Sequence, residues 1–172
     1  MRPQDVVVLL KILAQPNNAW QNKELADSLG ISQSEVTESL NRSDLARLFN
    51  KSIRKPNRNN LYDFLVHGLP YVFPQLPGTL VRGIPTAHSH PAFTSKFNSE
   101  IQHVWPYPKG ETMGLSIEPF YKNQVNAALN DKDLYLLLAC LDVIRVGKVR
   151  EKEYAIDMLK NKILHELPGE HN

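Results

Sequence analysis

Residues 22–42 constrain the fold of this chain more than any other stretch, because they have the sequence of two short helices joined by a tight turn. Leu25, Ala26 and Leu29 share one face of the first helix, and the small Ala26 allows the second helix to cross closely. Gly30 stands where the chain must reverse, and glycine tolerates a positive φ without a Cβ clash. We therefore predict a helix pair that turns at Gly30.

The second helix of the pair has a well-marked start. Ser32 is a good N-cap, and Glu35, three residues later, completes a capping box. Val36 and Leu40 are four residues apart and face inward. The outward positions can meet base edges and phosphates in the DNA major groove, and they are Ser32, Gln33, Ser34, Thr37, Glu38 and Asn41. An ordinary helical hairpin is the alternative.

The stretch from Glu24 to Arg42 resembles the DNA-binding core of bacterial winged-helix regulators, the MarR-like group in particular. The resemblance covers about residues 5–48. It implies a helix before the pair, a second helix of the pair that reads double-stranded DNA, and a β-hairpin wing after it. Residues 6–14 supply the first helix, which we expect to run from Pro3, near its N-terminus, to a stop at Pro16.

The wing is where the sequence departs from that family. Residues 49–60 lack two alternating apolar runs around an Asn-Gly or Asp-Gly turn. Two alternatives stay open. Either a short basic loop takes the place of the wing, or a displaced hairpin pairs residues 102–107 with residues 112–118.

Positive charge is concentrated directly after the helix pair. The whole chain has a net charge of only +2, but residues 42–58 hold six basic side chains against one acid, Asp44. From residue 61 onward there are 11 basic and 12 acidic residues. A solvated charge run is one interpretation. Beside the helix pair we favour contacts to DNA phosphates, made by Arg42, Arg47, Lys51, Arg54, Lys55 and Arg58.

Prolines set the character of the middle of the chain, residues 61–117. Eight of the twelve prolines fall between Pro70 and Pro119, so this region cannot be one long helix. We predict a helix over residues 61–69 that ends at Gly68 and Pro70, followed by an irregular segment with short strands. Aromatic and aliphatic residues are too frequent there for a free linker.

The C-terminal region, residues 118–172, is predicted to be helical. Asp131 is a fair cap for the second of its helices, and Gly147 ends that helix. The same helix is apolar almost all round, which predicts burial on several sides. The three predicted helices cover about residues 118–129, 133–146 and 150–166.

An apolar stripe on the last helix is a candidate dimer interface. Ala155, Leu159 and Ile163 recur on one face, and charges occupy the other positions. We expect Leu159 and Ile163 to be exposed and to join two copies, because two-fold DNA sites match two-fold proteins. Closure of a monomer core by the same stripe is the alternative.

The predicted fold class is mainly α, of the α+β type. It comprises an N-terminal winged-helix-type DNA-binding domain over residues 1–60, the proline-rich middle, and the C-terminal helices. No run reaches the roughly 18 apolar residues of a membrane helix, and the N-terminus does not resemble a signal peptide. The single cysteine, Cys140, is expected to be a buried packing residue in a reducing cytoplasm.

Signals for catalysis, metals and cofactors are weak. His88 and His90 flank Ser89, but two histidines at this spacing lack the further ligands of a metal site. Ser89 is not in a Gly-x-Ser-x-Gly elbow, and there is no glycine-rich phosphate loop. We therefore predict no catalytic residues, no metal, no cofactor and no enzyme activity.

Three classes of function stay in view. The first is a sequence-specific DNA-binding transcriptional regulator that acts as a homodimer. The second is an antitoxin-like regulator or adaptor whose proline-rich middle binds a partner protein, since residues 64–69 followed by residues 82–87 look somewhat like small bacterial regulators of defence and toxin loci. The third is a degenerate winged helix used only for protein contact.

Overall fold

Three helices and a minimal hairpin open the chain. The computed structural model describes residues 1–15 and 19–165, so Pro16, the expected stop of the first helix, lies outside the described residues. The two strands pair antiparallel, with Phe49 opposite Pro56 and Asn50 opposite Lys55. The elements are α1 (Pro3–Ala14), α2 (Asn22–Leu29), α3 (Gln33–Leu45), β1 (Phe49–Asn50) and β2 (Lys55–Pro56).

A helical stretch then runs on to Val72 without a break. It consists of α4 (Arg58–Asp63), a π-helical segment (Phe64–Gly68) and α5 (Leu69–Val72). The prediction that Gly68 and Pro70 end this helix is therefore wrong. Pro70 is the second residue of α5 and directly follows the π-helical segment and Leu69.

Each of the next three strands pairs with both of the others, and the three strands form a closed barrel. They are β3 (Leu80–Pro85), β4 (His103–Pro106) and β5 (Thr112–Ser116), and α6 (Pro91–Thr94) lies between the first two. The predicted hairpin of residues 102–107 with residues 112–118 is wrong, because β4 and β5 run parallel. Both strands use β3 as an antiparallel partner, which makes them parallel to each other.

Three helices follow the barrel. They are α7 (Gln124–Leu129), α8 (Lys132–Val146) and α9 (Val149–Leu164), so α7 is shorter than predicted. The predicted cap of α8 is confirmed, since the Asp131 carboxylate accepts a hydrogen bond from the Leu134 amide at 3.0 Å. Residue 166, the predicted end of α9, lies outside the described residues.

The apolar stripes of the last two helices are buried. Apolar side chains on several sides of α8 are at most 3% exposed, as predicted for that helix, namely Leu134, Leu137, Leu138, Leu141 and Ile144. On α9, Leu159 and Ile163 are completely buried. The prediction that these two residues form an exposed dimer interface is wrong, because a second copy could reach them only if the chain opened its own core.

Contacts divide the chain into two compact units, and each is built from two segments. The first unit comprises Met1–Leu61 and Phe120–Tyr135, and the second comprises Tyr62–Pro119 and Leu136–Asn172. The predicted region 118–172 is thus shared between the units. The fold is mainly helical with small sheets, as the sequence predicted. Within the described ranges, no helix has both the length and the apolarity needed to cross a membrane.

Candidate nucleic-acid interface

The turn between α2 and α3 has the predicted geometry. Gly30 adopts the left-handed conformation, with φ of 65° and ψ of 38°. The Ser32 hydroxyl accepts a hydrogen bond from the Glu35 amide at 3.1 Å, and the Glu35 carboxylate accepts one from the Ser32 amide at 2.8 Å. The bonds from Ser32 lower the pKa of Glu35. The predicted capping box is therefore confirmed, and the inward residues Val36 and Leu40 are buried.

A segment from far along the chain holds this turn. The Tyr121 hydroxyl donates to the Leu29 carbonyl at 2.8 Å, and Nδ2 of the Asn123 side chain donates to the Gly30 carbonyl at 2.6 Å. A Cβ atom on Gly30 would lie 3.0 Å from Asn123 Nδ2. These contacts satisfy carbonyls that α2 leaves open at its C-terminus. These contacts could not be predicted from the sequence, because the partners are separated by 92 and 93 positions along the chain and no local pattern links them.

The outer face of α3 is polar and exposed, as predicted. Gln33, Ser34, Thr37 and Glu38 are exposed, and Asn41 is half-buried. Their spacing places them on one side of the helix. Thr37 donates to the Gln33 carbonyl at 3.0 Å and accepts from an α2 side chain, so its hydroxyl is oriented within the protein.

Arg42 does not extend from the surface as a free cation. Its guanidinium donates two hydrogen bonds to the Asp5 carboxylate, at 2.8 and 2.9 Å. Burial alone would raise the pKa of Asp5, but bonds from Arg42 and the Arg2 amide outweigh it and lower that pKa. Arg42 therefore joins α3 to α1, and its predicted contact with phosphate stays a prediction. An aspartate within an apolar helix signalled the need for such a partner.

The basic region after α3 contains a short β-hairpin. β1 and β2 are joined by residues 51–54, and the Asn50 side chain accepts hydrogen bonds from the Ser52 and Ile53 amides. Lys51 binds α3 twice. Its amide donates to Asp44 at 2.9 Å, and its ammonium group donates to Asn41 at 2.8 Å.

Arg54 fixes the other end of the hairpin loop. Its guanidinium donates to the Asn22 side chain at 3.1 Å and lies 4.2 Å from the centre of the Trp20 ring. Trp20 in turn lies against Phe49 of β1. Arg54 has a positive φ of 54°, which costs free energy for a residue with a side chain. These contacts hold the loop against the start of α2.

The exposed charges are divided between two neighbouring elements. The hairpin and its flanks present four exposed cations, Arg47, Lys51, Arg54 and Lys55, and Arg58 is half-buried. The exposed surface of α3 carries acids instead, Glu35, Glu38 and Asp44. The structure therefore brings the predicted base-reading face and the predicted phosphate-binding residues together, but it separates their charges.

The histidine-rich segment of the second unit is interior. His88, Ser89, His90 and His103 are at most 8% exposed, and the rings of His88 and His103 lie 4.5 Å apart. His88 Nε2 is 2.6 Å from the Ile101 carbonyl oxygen. Burial lowers the pKa of both His90 and His103 to about 4. In the ranges that the structure describes, no group of three or more acidic, histidine or cysteine side chains could hold a metal ion.

A buried aspartate organises the second unit. One Asp142 oxygen accepts from the Thr86 hydroxyl and the Trp105 indole, each at 2.7 Å, and the other accepts from Arg145 at 2.7 Å. Sequence reasoning missed this network, although an aspartate in an apolar helix was its signal. Cys140 is buried as predicted, and burial raises the pKa of its thiol to about 12.

Comparison of the chain with protein families, with curated proteins and with solved structures gives no match.

Proposed function

We propose that this chain is a sequence-specific DNA-binding transcriptional regulator of the winged-helix, MarR-like type, and that it acts as a homodimer. In this proposal α3 enters the major groove and the β1–β2 hairpin is the wing. One observation carries it: the exposed polar face of α3 lies beside an exposed basic hairpin, and the Lys51–Asn41 hydrogen bond joins them. DNA recognition needs both base contacts and flanking phosphate contacts.

The exposed side chains of α3 suit base recognition. Gln33 and Asn41 carry amides of the kind that bind adenine through two hydrogen bonds. Glu38 can accept a hydrogen bond from the amino group of cytosine. Ser32, Ser34 and Thr37 are the smaller contacts on the same helix.

Phosphate binding falls to the hairpin and its flanks. The residues proposed for it are Arg47, Lys51, Arg54, Lys55 and Arg58. Lys51 and Arg54 are already oriented by hydrogen bonds to neighbouring side chains, which reduces the entropy that they lose on binding. Arg42 is a weaker candidate for this set, because Asp5 holds its guanidinium.

A degenerate winged helix used only for protein contact is the second candidate. The observation that favours it is the acidity of the α3 surface, where Glu35, Glu38 and Asp44 have no exposed cation on the same helix to offset them. Leu45, which is 86% exposed at the end of α3, adds an apolar contact surface. Like charges close to phosphates weaken DNA binding.

Selection from random duplexes, followed by binding measurements with single variants, tests the proposal. We expect an enriched two-fold symmetric sequence. Gln33→Ala or Asn41→Ala should weaken binding to that sequence by about 1–3 kcal/mol per lost base contact, with little change on random duplexes. Lys160→Ala, at an exposed site on α9, is the control. An equal loss on both kinds of duplex, or no enriched sequence, would contradict base recognition.

A further inference from the structure

A cavity of the second unit lies between two segments that are far apart in the sequence. Its volume is about 480 Å³, which falls within the range of small-molecule sites. One wall is formed by residues 96–98, shortly after α6, and the other by residues 148–151, at the start of α9. We call this space the 96–150 cavity.

Positive charge dominates the lining of the 96–150 cavity. Lys96, Lys148 and Arg150 are exposed, and within the described residues no acidic side chain lies at ion-pair distance from any of them. Glu151 is the only acid among the described lining residues. It is buried, and its carboxylate accepts a hydrogen bond from the Lys148 amide at 2.8 Å. Three cations against one carboxylate leave the lining with a charge of +2, which attracts an anion.

Two of these cations stand at the unfavourable end of their helix. Lys148 is the N-cap of α9 and Arg150 is its second residue, where the positive end of the helix macrodipole disfavours a cation. The ammonium group of Lys148 is a donor only, so it cannot accept hydrogen bonds from the amides of the first turn. An anion in the cavity would relieve both the repulsion between the cations and their conflict with the helix dipole.

An aromatic wall stands beside the cations. Phe97 lines the cavity, and its ring centre lies 5.7 Å from that of Tyr154 on α9. The ammonium group of Lys96 lies 5.5 Å from the centre of the same Tyr154 ring. Phe93 packs against both rings, at 6.5 Å from Phe97 and 5.5 Å from Tyr154. This cluster holds an aromatic face and a cation together at the cavity.

The charge and the aromatic wall together select a class of ligand. A phosphate group matches the three cations and the amides at a helix N-terminus. A planar base can stack on Phe97, and exposed Asn98 on the same wall carries donors and an acceptor for the edge of a base. An inorganic anion would leave the aromatic wall unused, and a neutral aromatic compound would leave the cations unpaired.

We propose that the 96–150 cavity binds a nucleoside phosphate. Lys96, Lys148 and Arg150 bind its phosphates, and Phe97 stacks on its base. All of these residues belong to the second unit, so the site does not depend on the nucleic-acid interface proposed for the first.

Isothermal titration calorimetry of the whole chain tests the inference, with ADP and UDP as a purine and a pyrimidine nucleotide. We expect at least one of them to bind, and to bind more tightly than its nucleoside or pyrophosphate alone. Lys148→Ala and Arg150→Ala should each weaken that binding by about tenfold or more, because each removes a charged hydrogen bond to phosphate. Phe97→Leu should weaken nucleotide binding and leave pyrophosphate binding unchanged. Lys160→Ala, at an exposed site on α9 outside the cavity, is the matched control.

Absence of binding by both nucleotides at millimolar concentration would overturn the inference. A loss of the same size in Lys160→Ala would also overturn it, since any exposed cation would then contribute. Pyrophosphate that binds as tightly as the nucleotide, with no effect of Phe97→Leu on either, would refute the role of the base. A single-stranded oligonucleotide that binds more tightly than both nucleotides, and that the same substitutions weaken, would assign the cavity to a nucleic-acid strand instead. The melting temperatures of the lysine and arginine variants without ligand should be native, because both side chains are exposed.

Discussion

The α2–α3 pair depends on residues that are close together in the sequence, whereas the three-stranded barrel depends on residues that are far apart in it. In the helix pair, the glycine turn, the serine cap and the apolar spacing all lie within residues 22–42, and each has its predicted geometry. In the barrel, β3 pairs with strands that begin 23 and 32 residues after it, and the predicted strand pairing was wrong. Short-range signals identify an element, whereas long-range pairing depends on which partners compete for each strand.

The largest expected effect is on the second unit. Asp142→Ala would leave Thr86, Trp105 and Arg145 without their shared acceptor, and we expect it to lower the free energy of unfolding by roughly 3–5 kcal/mol. Urea unfolding followed by Trp105 fluorescence, in a Trp20→Phe background, measures this free energy. Glu153→Ala, which removes an exposed acid on α9, should change the free energy of unfolding little. A loss below 1 kcal/mol for Asp142→Ala would show that the barrel and α8 do not depend on this network.

The second prediction concerns the stability of the second unit at low pH. His90 and His103 have folded-state pKa values of about 4, lowered by burial from an ordinary value of 6.5. The unfolded state therefore binds more protons between these values, and stability falls as pH drops from 6.5 towards 4. From pH 7 to pH 5 we expect a loss on the order of 3 kcal/mol from the two groups together.

Urea unfolding of the second unit at a series of pH values measures this slope. The Glu151 carboxylate acts on His103 and opposes part of the shift, whereas His88 adds to it. His103→Gln should reduce the slope by about one proton, and Asn98→Ala, at an exposed site without a titratable group, should leave it unchanged. A slope that is the same in both variants would mean that His103 does not govern the acid sensitivity.

The third prediction returns to the helix pair. Gly30→Ala should destabilise the first unit by about 1–2 kcal/mol, because a φ of 65° is unfavourable for alanine. The added Cβ would also press against Asn123. Hydrogen exchange of the α3 amides reports the loss. Gly30→Asn should cost less, since asparagine tolerates this conformation better. Equal losses would indicate that the contact with Asn123 dominates and not the backbone strain.

Within the candidate site, too, features set by neighbouring residues could be predicted, and contacts between residues far apart in the sequence could not. The exposed face of α3 could be predicted, because helical spacing alone decides which side chains point outward. The ion pair of Arg42 with Asp5 could not be predicted, since the two residues are 37 positions apart in the sequence. The β1–β2 hairpin could not be predicted, because its strands are only two residues long, too short for an alternating pattern. The contacts of Arg54 with Asn22 and Trp20, and not a strand pattern, hold it.

The salt dependence of DNA binding tests the central claim most directly. We expect the logarithm of the binding constant to fall linearly with the logarithm of salt concentration for the native chain. Lys51→Ala, Arg54→Ala and Lys55→Ala should each flatten that slope by about 0.9 unit, because each removes one phosphate contact. Lys160→Ala on α9 should keep the native slope. If the three hairpin variants also keep it, or if the native chain binds no duplex DNA, α3 and the β1–β2 hairpin do not form a nucleic-acid interface.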